Sequence, residues 1–94
     1  IKAEEAYRIG LVNAVYPQAE LMGAAMKLAG IIAGNAPIAV RNCKKAMNDG
    51  LDTDMDNAIV IEEKLFGACF ETEDQQEAMK AFVEKRKVEA FHNR

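Results

Sequence analysis

Apolar residues recur at intervals of three and four along this chain, and the spacing predicts about five helices separated by short polar breaks. Lys2–Arg8 reads as the first. Glu4 and Glu5 lie near its N-terminus, where the helix dipole favours negative charge, and Gly10 is placed to end it. The run LVNAVYP that follows is β-branched and aromatic and closes on Pro17, so it reads as an extended connector or a short edge strand. From Ala19 to Ala33, Leu21, Ala25, Leu28, Ala29 and Ile32 mark a second helix, punctuated by Gly34 and Asn35. Pro37 opens a third at the position where its missing N–H costs nothing. Ala39, Val40, Cys43, Ala46 and Met47 form the inner stripe of that helix, and Gly50 is its expected stop.

A fourth helix is expected from Thr53, with Asp56 three residues on in a capping-box-like arrangement. Met55, Ala58, Ile59, Leu65, Phe66, Cys69 and Phe70 follow its period, while Val60 and Ile61 fall on other sides. Such an all-round apolar helix suits burial between two layers, or a subunit interface, better than a solvated surface. Glu62 interrupts the main stripe as a half-exposed carboxylate. The fifth helix starts at Thr72, whose Thr72-x-x-Gln75 spacing is a capping box. Met79, Phe82 and Val83 are its expected buried stripe. The tail VEAFHNR has Phe91 as its single aromatic anchor and is expected to fray.

Composition narrows the function classes. The chain of 94 residues is half hydrophobic, 29 % charged and has a net charge of -3, the profile of one small globular domain. Mild acidity argues against a nucleic-acid binder, and no apolar run approaches the ~20 residues of a membrane span. The opening IKAEEAYRIG carries no basic, apolar, small-residue leader pattern. Cys43 and Cys69 are the only cysteines and show no metal-ligand spacing; buried free thiols in a reducing, cytoplasmic compartment are expected.

The reactive groups are few. There is no serine, no tryptophan, and a single histidine, His92, in the tail, so a Ser-His-Asp triad is impossible. The carboxylate pairs Glu4/Glu5, Glu62/Glu63 and Glu73/Asp74 read as capping or solvated-face residues. Arg41, Lys44 and Lys45 read as an exposed basic face. No metal site and no resident cofactor are expected.

The stretch Phe70–Lys87 leaves two readings open. Glu73 and Asp74 at one end of the helix, and Lys80, Lys85, Arg86 and Lys87 toward the other, suit simple compensation of the helix dipole. Alternatively, Phe82 and Lys85, three apart, share a helix face. A flat ring could then lie on Phe82 or Phe66 while the Lys85 ammonium meets a phosphate. Residue chemistry alone favours the first reading.

Three blocks, AEEAYRIGLVNAVYP, NAPIAVRNCKKAMNDGLD and LFGACFETEDQQEAMKAFVEKRK, stand in this order along nearly the whole chain. Together they resemble the C-terminal third of the crotonase, or enoyl-CoA hydratase/isomerase, family, most of all its bacterial short-chain 3-hydroxybutyryl-CoA dehydratases. Ala78 replaces a usual glycine, and Val88 a frequent proline or alanine; alanine is well tolerated within a helix.

The resemblance implies a parent of α/β crotonase fold, with residues 1–94 as its all-α C-terminal region. It implies reversible hydration of short-chain trans-2-enoyl-CoA, with the thioester as substrate, and a homotrimer or dimer of trimers built through these helices. The family's two catalytic glutamates and its oxyanion donors match no position here, so the chain alone is expected to be inactive. Phe66, Phe82 and Lys85 match positions that flank the adenine and phosphate end of coenzyme A in relatives. The opening at Ile1 agrees with a chain expected to belong to a longer one. An isomerase or other acyl-CoA lyase of the family, and a free-standing helical interaction module, are the alternatives.

Overall fold

Five helices and no strand make up the computed structural model, which describes residues 1–94. They are α1 (Ala3–Arg8), α2 (Gln18–Ala33), α3 (Pro37–Leu51), α4 (Met55–Cys69) and α5 (Glu73–Val83). The all-α expectation holds. The LVNAVYP run is irregular and forms no strand, because no neighbouring strand is available to take up its backbone hydrogen bonds. The chain divides into two units, Ile1–Ile31 and Ile32–Arg94.

In the first unit, α1 carries Glu4 and Glu5 in its first turn and ends in a Schellman motif. Gly10 takes the left-handed conformation (φ 75°). Its N–H donates to the Tyr7 carbonyl at 3.1 Å, and the Leu11 N–H donates to the Ala6 carbonyl at 2.8 Å. Ala6, the residue under this turn, is 7 % exposed. After the irregular segment, Pro17 supplies the carbonyl that receives the first N–H groups of α2, from Glu20 and Leu21. The large apolar residues of α2 are exposed, among them Leu21, Met22, Met26 and Leu28.

The second unit is built on an antiparallel pair. Gly50 approaches Ala58, and Asn42 reaches the far turns of α4 at Leu65 and Cys69, so α3 and α4 run in opposite directions. Gly50 does not stop α3, which continues to Leu51; the glycine instead permits close approach, since a Cβ there would sit 3.4 Å from that of Ala58. The cap of α4 is Asp54, not Thr53. Its carboxylate accepts from the Asn57 N–H at 3.0 Å and from the Asn57 side chain. These bonds hold the Asp54 carboxyl below the usual carboxylate range.

Thr72 caps α5 as expected, accepting from the Gln75 N–H at 3.2 Å while its hydroxyl donates to the Cys69 carbonyl at 2.7 Å. The stripe Met79, Phe82, Val83 is exposed, however, and the buried residues of α5 are Asp74 and Ala81. The amphipathic pattern is real, but nothing within the chain covers that face. Nor are the thiols buried: Cys43 is exposed, and Cys69 is half-buried and donates to the Leu65 carbonyl at 3.3 Å. Both are free.

Candidate functional site

Two features of the second unit bear on chemistry: the groove of the α3–α4 pair, and the end of α5 with the segment that follows it. The groove has a volume of about 690 Å³ and is lined mainly by small and apolar residues, including Ala39, Cys43, Ala46, Met47, Leu65 and Phe66. Glu62 is the one charged residue along it. The Phe66 ring meets that of Phe70 edge-on, centroids 5.2 Å apart at 73°, and remains 66 % exposed. That edge-to-face contact is favourable by about 1 kcal/mol and leaves much of the Phe66 ring open.

Phe82 and Lys85 stand apart from this groove and line no part of it. Phe82 lies in the last turn of α5 and is 80 % exposed. The helix ends at Val83, so Lys85 is not on a continued helix face with Phe82, and the expected three-residue helical alignment does not form. A second Schellman motif couples the two residues instead. The Lys85 N–H donates to the Phe82 carbonyl at 3.2 Å, the Arg86 N–H donates to the Ala81 carbonyl at 3.0 Å, and Lys85 itself is left-handed (φ 54°). Ala81 beneath the turn is 1 % exposed. The Lys85 ammonium makes no hydrogen bond or ion pair.

Arg86 behaves differently from its neighbours. Its guanidinium donates to Glu77 Oε1 and to Glu84 Oε2, both at 2.6 Å. Those carboxylates raise the Arg86 pKa, and the Arg86 bond holds the Glu77 carboxyl below its ordinary value. At the other end of α5, Asp74 is 2 % exposed, and its oxygens accept from the N–H groups of His92 (2.7 Å) and Asn93 (2.8 Å). The Asp74 N–H donates in turn to the Arg94 carbonyl at 3.0 Å. Arg41 donates to the Asn93 side chain at 2.8 Å, and Arg94 pairs with Glu73 at 2.8 Å. The tail is therefore tied down where fraying was expected, and Asp74 is a structural carboxylate that sequence reasoning missed. No local signal marks it, because its partners lie 18 and 19 residues away.

The carboxylates with displaced pKa values, Glu5, Asp54 and Glu77, are all held low, chiefly by hydrogen bonds from Arg8, Asn57 and Arg86 respectively. No group of three or more His, Cys, Asp or Glu converges on a metal-sized position. No single helix is long and apolar enough to cross a membrane.

Comparison with solved structures places this all-helical arrangement within the crotonase fold. The chain superposes along its whole length on an enoyl-CoA hydratase/isomerase from Mycobacterium paratuberculosis, with a TM-score of 0.93 at 33 % identity, covering 37 % of that chain. It superposes equally well on an enoyl-CoA hydratase from Bacillus anthracis, with a TM-score of 0.93 at 35 % identity, covering 36 % of that chain. The enoyl-CoA hydratase/isomerase family profile matches residues 1–93, and the chain belongs to that family.

Among curated relatives, a short-chain-enoyl-CoA hydratase of Clostridium acetobutylicum is 54 % identical over all 94 residues. A crotonyl-CoA hydratase of Syntrophomonas wolfei is 52 % identical over 88 residues. The chain spans 36 % and 34 % of their respective lengths, about a third of each.

Proposed function

We propose that this chain is the C-terminal assembly and coenzyme A-binding part of a short-chain enoyl-CoA hydratase. Such an enzyme adds water reversibly across the 2,3-double bond of a trans-2-enoyl-CoA thioester. The observation that carries the reading is the end of α5. There an exposed phenylalanine, Phe82, is followed in the closing turn by a cation with no partner, Lys85, held in a backbone conformation that costs a lysine about 1 kcal/mol relative to glycine. An unpaired cation three residues on from an exposed ring, the two joined by a backbone hydrogen bond, offers a ligand with a phosphate and a flat base one contact of each kind. Phe66, at the edge of the α3–α4 groove and apart from Phe82 and Lys85, offers a separate aromatic surface.

Assembly is the other half of the proposal. Exposed Ile59, Val60, Phe66, Phe70, Met79 and Phe82 give the second unit more apolar surface than an isolated domain normally presents. That surface favours packing against other parts of a larger protein and against further subunits, as a homotrimer or a dimer of trimers. The same surface would serve a purely interacting helical module, and the names of the relatives tip the balance toward the enzyme. An isomerase of the same family is the runner-up, since nothing in this chain performs the bond-making that would separate the two. The thioester is the substrate, no other cofactor is invoked, and the reaction belongs to the cytoplasm.

The test is direct. Purified chain given crotonyl-CoA should leave the conjugated thioester absorbance unchanged; clear turnover would place catalytic groups within these residues and sink the proposal. Lys85→Ala should weaken coenzyme A binding by removing a phosphate contact, measured by titration calorimetry on the protein that carries the activity.

A further inference from the structure

The segment after α5 does more than close a helix. At Lys85 the chain reverses, and Arg86 reaches nine residues back to Glu77, while His92 and Asn93 meet Asp74 in the first turn. Residues 86–92 can span at most about 25 Å when extended. The helix they run beside is about 16 Å long, so the segment is long enough to return along it without being pulled straight. Its far end is a backbone nest: two successive N–H groups converge on one carboxylate, and Asn93 is left-handed (φ 61°), a conformation that asparagine tolerates better than most residues. Arg41 then ties Asn93 to α3. A short segment fixed at both ends, by Arg86 to Glu77 and by His92 and Asn93 to Asp74, limits the conformations open to the turn at its start.

We propose that residues Arg86–Arg94 form a strap, locked by Asp74 against the first turn of α5, that holds Lys85 in its left-handed turn. Asp74 is thereby a positioning residue for the Lys85 ammonium, acting through the strap without touching the ligand. The positioning role rests on the coenzyme A reading of Lys85; the strap itself does not. Strain at Lys85 supports the connection, because a non-glycine residue persists in that conformation only when its surroundings over-determine it.

Two measurements on the same variants separate the strap from the ligand reading. In Asp74→Ala, amide hydrogen exchange at His92, Asn93 and Arg86 should accelerate at least about tenfold, since a charge-assisted latch is lost. Unchanged exchange overturns the strap. In the protein that carries the activity, Asp74→Ala should weaken coenzyme A binding several-fold, and should add nothing in a Lys85→Ala background. Additive losses, or faster exchange with undiminished affinity while Lys85→Ala alone weakens binding, overturn the positioning role.

If Lys85→Ala has no effect, the ligand reading of Lys85 fails and the positioning role with it, while exchange still decides the strap. Should Asp74→Ala fail to fold, the Asn93 pair decides both points. Both Asn93 variants lose the Arg41 bond, but Asn93→Val, which also disfavours the left-handed nest, should speed exchange and weaken binding more than Asn93→Gly, which permits the nest. Equal behaviour of the two Asn93 variants overturns the nest.

Discussion

The ends of α1 and α5 solve one backbone problem with different residues. Each closes in a Schellman motif with the same pair of hydrogen bonds, and each buries an alanine beneath the turn, Ala6 in one and Ala81 in the other. At α1 the left-handed position is Gly10, which adopts it without strain. At α5 it is Lys85, which does not. The α1 end has one exposed ion pair nearby, Arg8 with Glu5. The α5 end has Arg86 held by two carboxylates, and the tail that leaves it is latched to Asp74 at the helix's opposite end. Glycine makes the first turn permissible by its own chemistry, whereas the second is imposed by contacts distant in sequence. A residue kept against its local preference points to a role beyond closing the helix.

Removing the latch should break the contrast most completely. Asp74→Ala leaves the His92 and Asn93 N–H groups without their acceptor and should destabilise the second unit by about 2 kcal/mol, read from chemical denaturation. Exchanging the turn residues comes next. Gly10→Lys should cost about 1 kcal/mol. Lys85→Gly should change stability by less than that and in the opposite sense, because relief of strain is partly offset by the greater freedom of glycine in the unfolded chain. Equal destabilisation by both would mean that the left-handed position at α5 is not strained.

A smaller effect is expected in the helix pair. Gly50→Ala should be neutral or stabilising by up to about 0.5 kcal/mol, since its new methyl meets Ala58 at ordinary contact distance and alanine favours the helix.

The smallest effect concerns acid. The Arg86 bond lowers the Glu77 carboxyl below its ordinary value, so its contribution is present above the ordinary glutamate range, about pH 4.3, and is lost as pH falls through the lowered folded-state value. Melting temperature against pH should therefore fall less steeply on the acid side in Glu77→Gln. Added salt should shrink the difference, because the pair is exposed.

Much of this was legible in the sequence. The five helices, the Pro37 start, the Gly10 stop and the Thr72 cap follow from signals a few residues long, and local hydrogen bonds act at that range. The Thr53 cap failed by one residue because Asp54 offers the same chemistry, a short side-chain oxygen aimed at a free N–H. Phe66 could be assigned to an apolar face, but the groove it borders depends on α3 packing antiparallel to α4. The buried stripe of α5 could not be judged from its pattern, since periodicity identifies an apolar face without naming what covers it.

By itself, then, the sequence determined which segments coil, where most of them start and stop, and which family the blocks AEEAYRIGLVN and TEDQQEAMKAFVEKR resemble. Only the tertiary structure decided that the tail returns to Asp74, that Arg86 turns inward to Glu77 while Lys85 stays unpaired, and that Lys85 occupies a turn its own preference opposes. The physical reason is range. Helices and caps arise from neighbours within four residues, whereas the latch joins groups 18 and 19 apart, which come together only after the chain has reversed.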